Sequence, residues 1–484
     1  MKKILLCLLA ILLSLGVLCA CNDSTGGTTD GDTGGNDNIE EEVKGTEGLA
    51  YELTEDGSGY VVVGLGTASA KEMVIPSKHE GKPVVGIGEG AFDSKTHITS
   101  VKIPNSVKTI ESRAFGCCTQ ITTVSLGASV ETIGESAFKE CTKLQSISLP
   151  QSVKSIEKTA FFGSGLVEVS LGNVEHIGER AFSQCNALVK IEIPASVKTM
   201  ESEAFSECKE LANAKIADGI TVVGEAAFFK CTSLVSVEIP ASVTVIEEDA
   251  FLGCIQLSSV SLPEGLTDLG PRAFGDCRSL VSIEIPSSVV NMRSAFHECS
   301  ALETIKIPEG VTDIGSFERC FSLKSIEIPD GVTKIGSSAF FGCRSLKNLV
   351  IPDTVTAIGK NAFDGCNALE SITLPFLGGE GLKETTLGDC FGSNTNLRWL
   401  KKIVITGGTI IPDSAFEYQR SMTELVLPAG ITHIGEYALA SCTGLTTIHF
   451  GGTKAEWETI TKDAYWNLNT GEYTVICIDG TIQK

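Results

Sequence analysis

Eighteen cysteines, six histidines and sixty carboxylates are the side chains of this chain that could bind a metal, cycle redox or act as nucleophile and base. Their spacing argues against each. Thirteen cysteines recur once per repeat: Cys118, Cys141, Cys185, Cys208, Cys231, Cys254, Cys277, Cys299, Cys320, Cys343, Cys366, Cys390 and Cys442, with Ser164 filling the slot in one unit. A metal cluster needs Cys-x-x-Cys pairs or accompanying histidines, and neither occurs. A cysteine at one slot per coil behaves as a small buried apolar residue. Neighbouring slots fall within disulfide range, but side chains pointing in parallel do not reach the required dihedral. Free thiols are therefore expected, with Cys117 and Cys477 outside the slot and open to exposure. Free thiols in an exported protein also point to a reducing habitat. The histidines at 79, 97, 176, 297, 433 and 449 are scattered, although His176 and His433 share one repeat position. No zinc-protease helix motif, nucleophile elbow or phosphate loop is present. The glycines of "GLGTAS" and "GIGEGAF" open no helix. The carboxylates sit at repeated solvent-facing positions rather than as a buried pair with split pKa values. No enzyme, cofactor or metal site is expected.

The elements that carry these residues follow from one repeated sentence, Leu-x-x-Ile-x-Ile-Pro-x-x-Val-x-x-Ile-Gly-x-x-Ala-Phe-x-x-Cys, as in residues 323–345. Units begin at 98, 121, 144, 166, 188, 211, 234, 257, 280, 302, 323, 346, 369, 397 and 422. A period in this range specifies a stacked solenoid whose units touch only their neighbours. In each unit, Ile326 and Ile328 alternate inward against Ser325 and Glu327, a period-two strand. Pro329 ends that strand because it has no N–H for a ladder. Val332 and Ile335 return to the interior, Gly336 permits a bend, and small Ala339 lets Phe340 reach the centre. The phenylalanines at 92, 115, 138, 161, 182, 205, 228, 251, 274, 296, 317, 340, 363 and 416 form a core column, with Leu439 in the last slot. Each such burial contributes roughly 1.5–3 kcal/mol. After the isoleucine of the bend, Glu111, Gly134, Glu157, Gly178, Glu201, Gly224, Glu247 and Gly270 alternate strictly. Duplication of a two-unit block explains this, and predicts alternating backbone angles unless Gly and Glu are simply interchangeable there. Sixteen or so coils at ~4.8 Å give a body roughly 80 Å long.

The formal charge is −22, and no basic stripe appears, so nucleic acid is not an expected partner. Residues 1–21 read as a secretory signal: Lys2 and Lys3, then an apolar run from Ile4 to Val17. The ending "LCAC" resembles a bacterial lipobox, which would make Cys21 a lipidated first residue; plain signal cleavage is the competing reading. Residues 22–49 form an acidic Gly/Thr-rich tether unable to build a core. Residues 50–75 suggest a hairpin cap, 76–444 the solenoid with a long variant unit at 369–421, and 445–484 a C-terminal cap sealed by Trp457 and Trp466.

Two sets of residues are candidates for binding. One is the outward row Glu192, Lys215, Glu238, Ser261, Glu284, Lys306 and Glu327, either cross-strand charge pairing or a ligand face. It contains no aromatic platform for sugars. The other is the irregular unit, where Phe376 and Glu380 precede Trp399, Lys401 and Lys402; packing of an insertion is the alternative.

The repeated Ile-Pro…Ile-Gly…Ala-Phe…Cys unit resembles the leucine-rich repeat of BspA-like bacterial surface proteins, the Treponema-type subclass, over residues ~73–484. That resemblance implies a helix-poor, curved right-handed leucine-rich-repeat solenoid with a parallel sheet on its concave face. It also implies surface display and, for some members, adhesion to host matrix proteins or other bacteria. The expectation is a lipid-anchored binding protein on the extracellular face of a bacterial envelope, held to the membrane only by its N-terminal lipid and engaging a protein partner. A non-adhesive envelope spacer and an accessory polysaccharide-binding protein are the alternatives.

Overall fold

The computed structural model describes residues 44–315, 317–377, 390–391 and 397–484. The body they form, Lys44–Lys484, is a parallel-strand solenoid of about 17 turns with almost no helix; Lys454–Thr459 is the one helix described in full. No helix in them is long and apolar enough to cross a membrane.

Each coil has three hydrogen-bonded faces. The first is the Ile-x-Ile strand, as at Ser325–Glu327, which pairs in parallel with Thr304–Lys306 below it. The second is the two-residue strand at the Ile of the bend; Thr109–Ile110, Thr132–Ile133, Ser155–Ile156 and His176–Ile177 stack in register there. The third is the Ala-Phe turn, where each Phe N–H donates to the alanine carbonyl of the next coil, as in Phe115 to Ala137 at 2.8 Å. Turn bonds such as Cys118 N–H to Phe115 O close within a coil, but all three ladders pair backbone groups between coils, so a coil is stabilised chiefly by its neighbours.

Two left-handed residues per coil turn the chain around the Phe. One precedes the alanine, as Arg113 at φ 55° and Ser136 at φ 56°; the other lies two after the Phe, as Glu140 at φ 56° and Glu207 at φ 57°. Inside, the phenylalanines from Phe92 to Phe363 stack nearly parallel with centroids 5.1–6.2 Å apart.

The thiols of the slot are free and buried. Twelve of them donate S–H to the Phe carbonyl of the preceding coil, as Cys118 to Phe92 at 3.0 Å and Cys208 to Phe182 at 3.1 Å. Cysteine suits the slot because it is apolar enough to bury yet has a weak donor for that carbonyl. Of the two outside the slot, Cys117 is half-buried and Cys477 buried.

Four expectations need revision. The bend glycines do not alternate in sign of φ with the glutamates: none of the eight has a positive φ. They alternate in approach. A Cβ on Gly178 would lie 2.6 Å from Lys158 N, and one on Gly134 2.6 Å from Ile110 O. Three of the four glutamates accept the N–H that follows such a glycine, Glu111 from Glu89 at 3.1 Å and Glu201 from Glu179 and Glu247 from Glu225 at 2.9 Å, while Glu157 accepts from the Ser155 hydroxyl. Second, Cys390 is not in the cysteine slot. Its carbonyl accepts the Phe363 N–H, the alanine role, and Phe391 then continues the ring column 5.4 Å from Phe363. Gln419, buried three residues after Phe416, takes the slot one unit later. Third, the unit placed at 397 begins at Leu400: Leu400 N–H donates to Leu397 O as Leu369 does to Cys366, and Ile403 is in register with Ile372.

Fourth, the end boundaries shift. The antiparallel hairpin is Ala50–Leu53 with Tyr60–Gly64, while Glu72–Val74 already belongs to the first solenoid face. Its turn is organised by Asp56, whose carboxyl is held down at about 2 by bonds from Thr54 and Ser58. At the other end, Thr461–Lys462 pairs with His433–Ile434 as a further coil. Thr474–Cys477 and Gly480–Gln483 close as an antiparallel hairpin, and Trp457, on the helix Lys454–Thr459, packs against Phe450 and Trp466.

Candidate functional site

A groove of about 700 Å³ opens on the first face over the coils from Ser146 to Ala217. Its cause is a local shortening. From Phe161 to Phe182 the chain takes 21 residues, against 23 from Phe138 to Phe161. One residue is missing before the strand Glu168–Ser170, at Ser164-Gly165, and one after it, at Leu171-Gly172. Gly172 turns at φ 52° to make that short path, and Gly165 passes so close to Thr142 O that a Cβ would meet it at 2.2 Å. The parallel ladder stops there: Glu168–Ser170 pairs with Ser146–Ser148, and a separate sheet starts at Lys190–Ile193.

The groove is lined by Glu168, Lys190, Glu192 and Lys215 around an apolar floor of Val169 and Leu171. Two residues of the outward charge row therefore meet in it. Glu192, Lys215 and Glu238 are consecutive register partners, and Lys215 pairs with Glu238 at 3.5 Å, both well exposed. Lys306 and Glu327 are also register partners, but among the described residues neither they nor Glu284 form an ion pair with one another. Glu284, Lys306 and Glu327 lie coils away from the groove. Sequence reasoning found the charges and missed the groove.

Along the same coils runs a row that sequence reasoning did not single out. Val167, Val189 and Val235 are 39, 45 and 42 % exposed. With Ala212 they sit on four consecutive coils joined by backbone bonds: Val189 N–H to Val167 O, Ala212 to Val189, Val235 to Ala212.

The residues of the long unit do not gather into one site. Trp399 stands 61 % exposed beside a hollow of about 300 Å³ that it shares with Arg344, Asn367, Ala368 and Glu370. Lys401 is exposed and is not part of that lining. Lys402 turns to Glu424 at 2.6 Å, a carboxylate also approached by His449 at 3.5 Å, so it is occupied in inter-coil pairing. Phe376 packs half-buried against the core. Glu380 lies outside the described residues, as does Cys21.

No cluster of metal-ligating side chains occurs among the described residues. The histidines at the shared repeat position serve the stack: His176 bonds Thr199 at 2.7 Å and His433 bonds Asp463 at 2.9 Å, each in the next coil. The strongly shifted groups are thiols. Burial pushes Cys118 up to about 11 and Cys185, Cys299, Cys366 and Cys442 up to about 12, opposite to the direction a nucleophile needs.

A leucine-rich repeat protein from Bacteroides ovatus has a similar structure, at TM-score 0.61 and 25% identity over 89% of this chain and 98% of that one. Looser likeness extends to a leucine rich cell surface protein from Faecalibacterium prausnitzii (25% identity, 91% and 99% covered, TM-score 0.39) and to the pneumococcal vaccine antigen PcpA (18%, 88% and 98%, TM-score 0.41). No curated protein matches the chain. The model of the BspA type leucine rich repeat region matches residues 67–189, 171–252, 221–318, 313–401 and 409–476, nearly the whole described body. With the coil geometry in agreement, the chain belongs to the BspA type leucine-rich-repeat family.

Proposed function

We propose that this chain is a non-enzymatic, surface-displayed binding protein whose partner is a protein, engaged across the coils from Val167 to Glu238. One observation carries this reading: exposed Val167 and Val189 stand on coils that line the mixed-charge groove, and Val235 continues their row past Ala212 onto the next coil. An apolar strip with charged and polar neighbours has the anatomy of a protein–protein interface, where apolar burial supplies affinity and charges set register. An isolated exposed valine needs no explanation, but three at one repeat position within four consecutive coils do. The partner classes to examine first are host matrix proteins and the surface proteins of other bacteria. The N-terminal charged and apolar run, the "LCAC" ending and the acidic 22–49 segment support export, lipid attachment at Cys21 and display on the outer face of the envelope.

The test uses the full chain immobilised for interferometry against matrix proteins, mucins and bacterial surface proteins. Saturable binding is expected, with the Val189→Glu/Val235→Glu variant weakened roughly tenfold or more. A folded sample that binds nothing in the panel replaces this reading with that of an envelope spacer. Palmitate labelling in cells, lost on Cys21→Ser, checks the anchor.

A further inference from the structure

From residue 279 onward, the residue just before the first apolar residue of each unit is small: Ser279, Ala301, Ser322, Ser345 and Ala368 lead up to Trp399, and Ser421 and Gly444 follow it. The register correction that starts the unit at Leu400 puts Trp399 in this row. Leu400 beside it is buried, so the core of that coil is already filled without the tryptophan. The ring instead stands in solvent, 61 % exposed, where an apolar group of that size gains nothing from folding. Ala368, one coil below, leaves the space next to it open, and the result is the hollow of about 300 Å³.

The other walls of that hollow are polar and planar. Arg344 is held with its guanidinium 4.6 Å from the centre of the Phe321 ring, and among the described residues it forms no ion pair. Its donors are therefore positioned and uncommitted. Asn367 presents an amide with both donor and acceptor, and Glu370 presents a carboxylate that Lys347 approaches at 3.4 Å through one oxygen.

An aromatic face, planar donors and planar acceptors around a small open hollow match one chemical class. A pyranose ring offers an apolar C–H face to an indole and pairs of neighbouring hydroxyls that each need a donor and an acceptor. A phosphate or sulfate would want several cations and would meet Glu370, and the chain's net charge of −22 repels polyanions. The hollow is also at the small end of ligand sites, the size of one or two sugar units rather than a protein hot spot.

We infer that Trp399, Arg344, Asn367 and Glu370 form a binding subsite for a neutral saccharide, separate from the valine column and its groove. The indole stacks on the ring, and Arg344, Asn367 and Glu370 hold its hydroxyls. Its lining shares no residue with the groove or the valine row, so it is tested independently of the protein-binding reading.

The experiment is titration of the full chain with cellohexaose, laminarihexaose, mannohexaose, xylohexaose and chitohexaose, read by acrylamide quenching of tryptophan emission and by calorimetry. Trp457 is buried and Trp466 partly so, which makes Trp399 the most quencher-accessible indole in the described body. At least one neutral hexasaccharide is expected to protect that emission saturably. Trp399→Ala should then weaken binding roughly tenfold or more, and Arg344→Ala and Glu370→Gln several-fold each, with unchanged circular dichroism. The inference is overturned if no hexasaccharide in the panel protects the indole, or if Trp399→Ala binds as the parent does. It is equally overturned if Trp399→Ala loses a protein partner and no sugar.

Discussion

At the scale of single residues, the cysteines and glycines explain each other's neighbours. A thiol at the slot fills a small apolar space and still gives the Phe carbonyl of the coil below a weak donor, as Cys231 does to Phe205 at 3.2 Å. Cys117 alone of the fifteen described thiols is partly open, and burial and the Glu140 charge raise its pKa. Among the described thiols, iodoacetamide mapping of the native protein should therefore modify Cys117 first and slowly, faster as pH climbs, with the slot thiols reacting only on unfolding. Early modification of any slot cysteine would contradict the packing. Among the glycines, Gly178→Ala should cost about 1–3 kcal/mol, since its Cβ meets backbone 2.6 Å away and neither chain can move freely. Glu207→Gly, at φ 57°, should be neutral or stabilising by up to about 1 kcal/mol because it removes left-handed strain. Denaturant midpoints of the two variants test the pair.

At the scale of the coil, the Gly/Glu alternation is a device for close stacking. The glycine lets its coil approach the one before it, and the glutamate of the following coil accepts the N–H left beyond the glycine. Glu247→Ala should thus strand the Glu225 N–H and destabilise by about 1–3 kcal/mol, whereas Glu247→Gln keeps an acceptor and should cost less. Equal losses in urea melts would show that the carboxylate packs rather than accepts. The ring column sets a larger scale of energy: Phe228→Ala empties a position between two stacked rings, 5.6 and 5.4 Å away, and should cost about 3–5 kcal/mol.

Across the whole molecule, the thiol column makes stability depend on alkaline pH. Each slot cysteine has a folded pKa raised by burial, as Cys185 from 9.0 to about 12. Below pH 9 both states hold the proton and the stabilisation is complete. Between about 9 and 12 the unfolded chain releases protons that the folded chain retains, so stability falls by about 1.4 kcal/mol per pH unit for each thiol. Unfolding midpoints should drop steeply between pH 8.5 and 10.5, and replacing Cys185, Cys254 and Cys299 by alanine should flatten that slope. A slope unchanged in the triple variant would remove the thiols from the account.

The period of the repeat was enough to specify a stacked parallel solenoid, because each unit's inward residues can be buried only by its neighbours. It also located the phenylalanine column and the outward charge row, since both follow from position alone. What it did not reveal depends on distances between coils. The Gly/Glu alternation was visible as letters, yet its reason is a 2.6 Å approach that exists only once two coils stack. Lys402 looked free beside Trp399 until Glu424, 22 residues on, came within 2.6 Å. Cys390 looked like one more slot thiol until the carbonyl accepting from Phe363 showed it in the alanine's place. The groove and the Trp399 hollow belong to the same class: each is a gap between coils of unequal length or unequal side-chain size. A repeat states what every coil has in common, and only the stacked structure decides what happens where neighbouring coils differ.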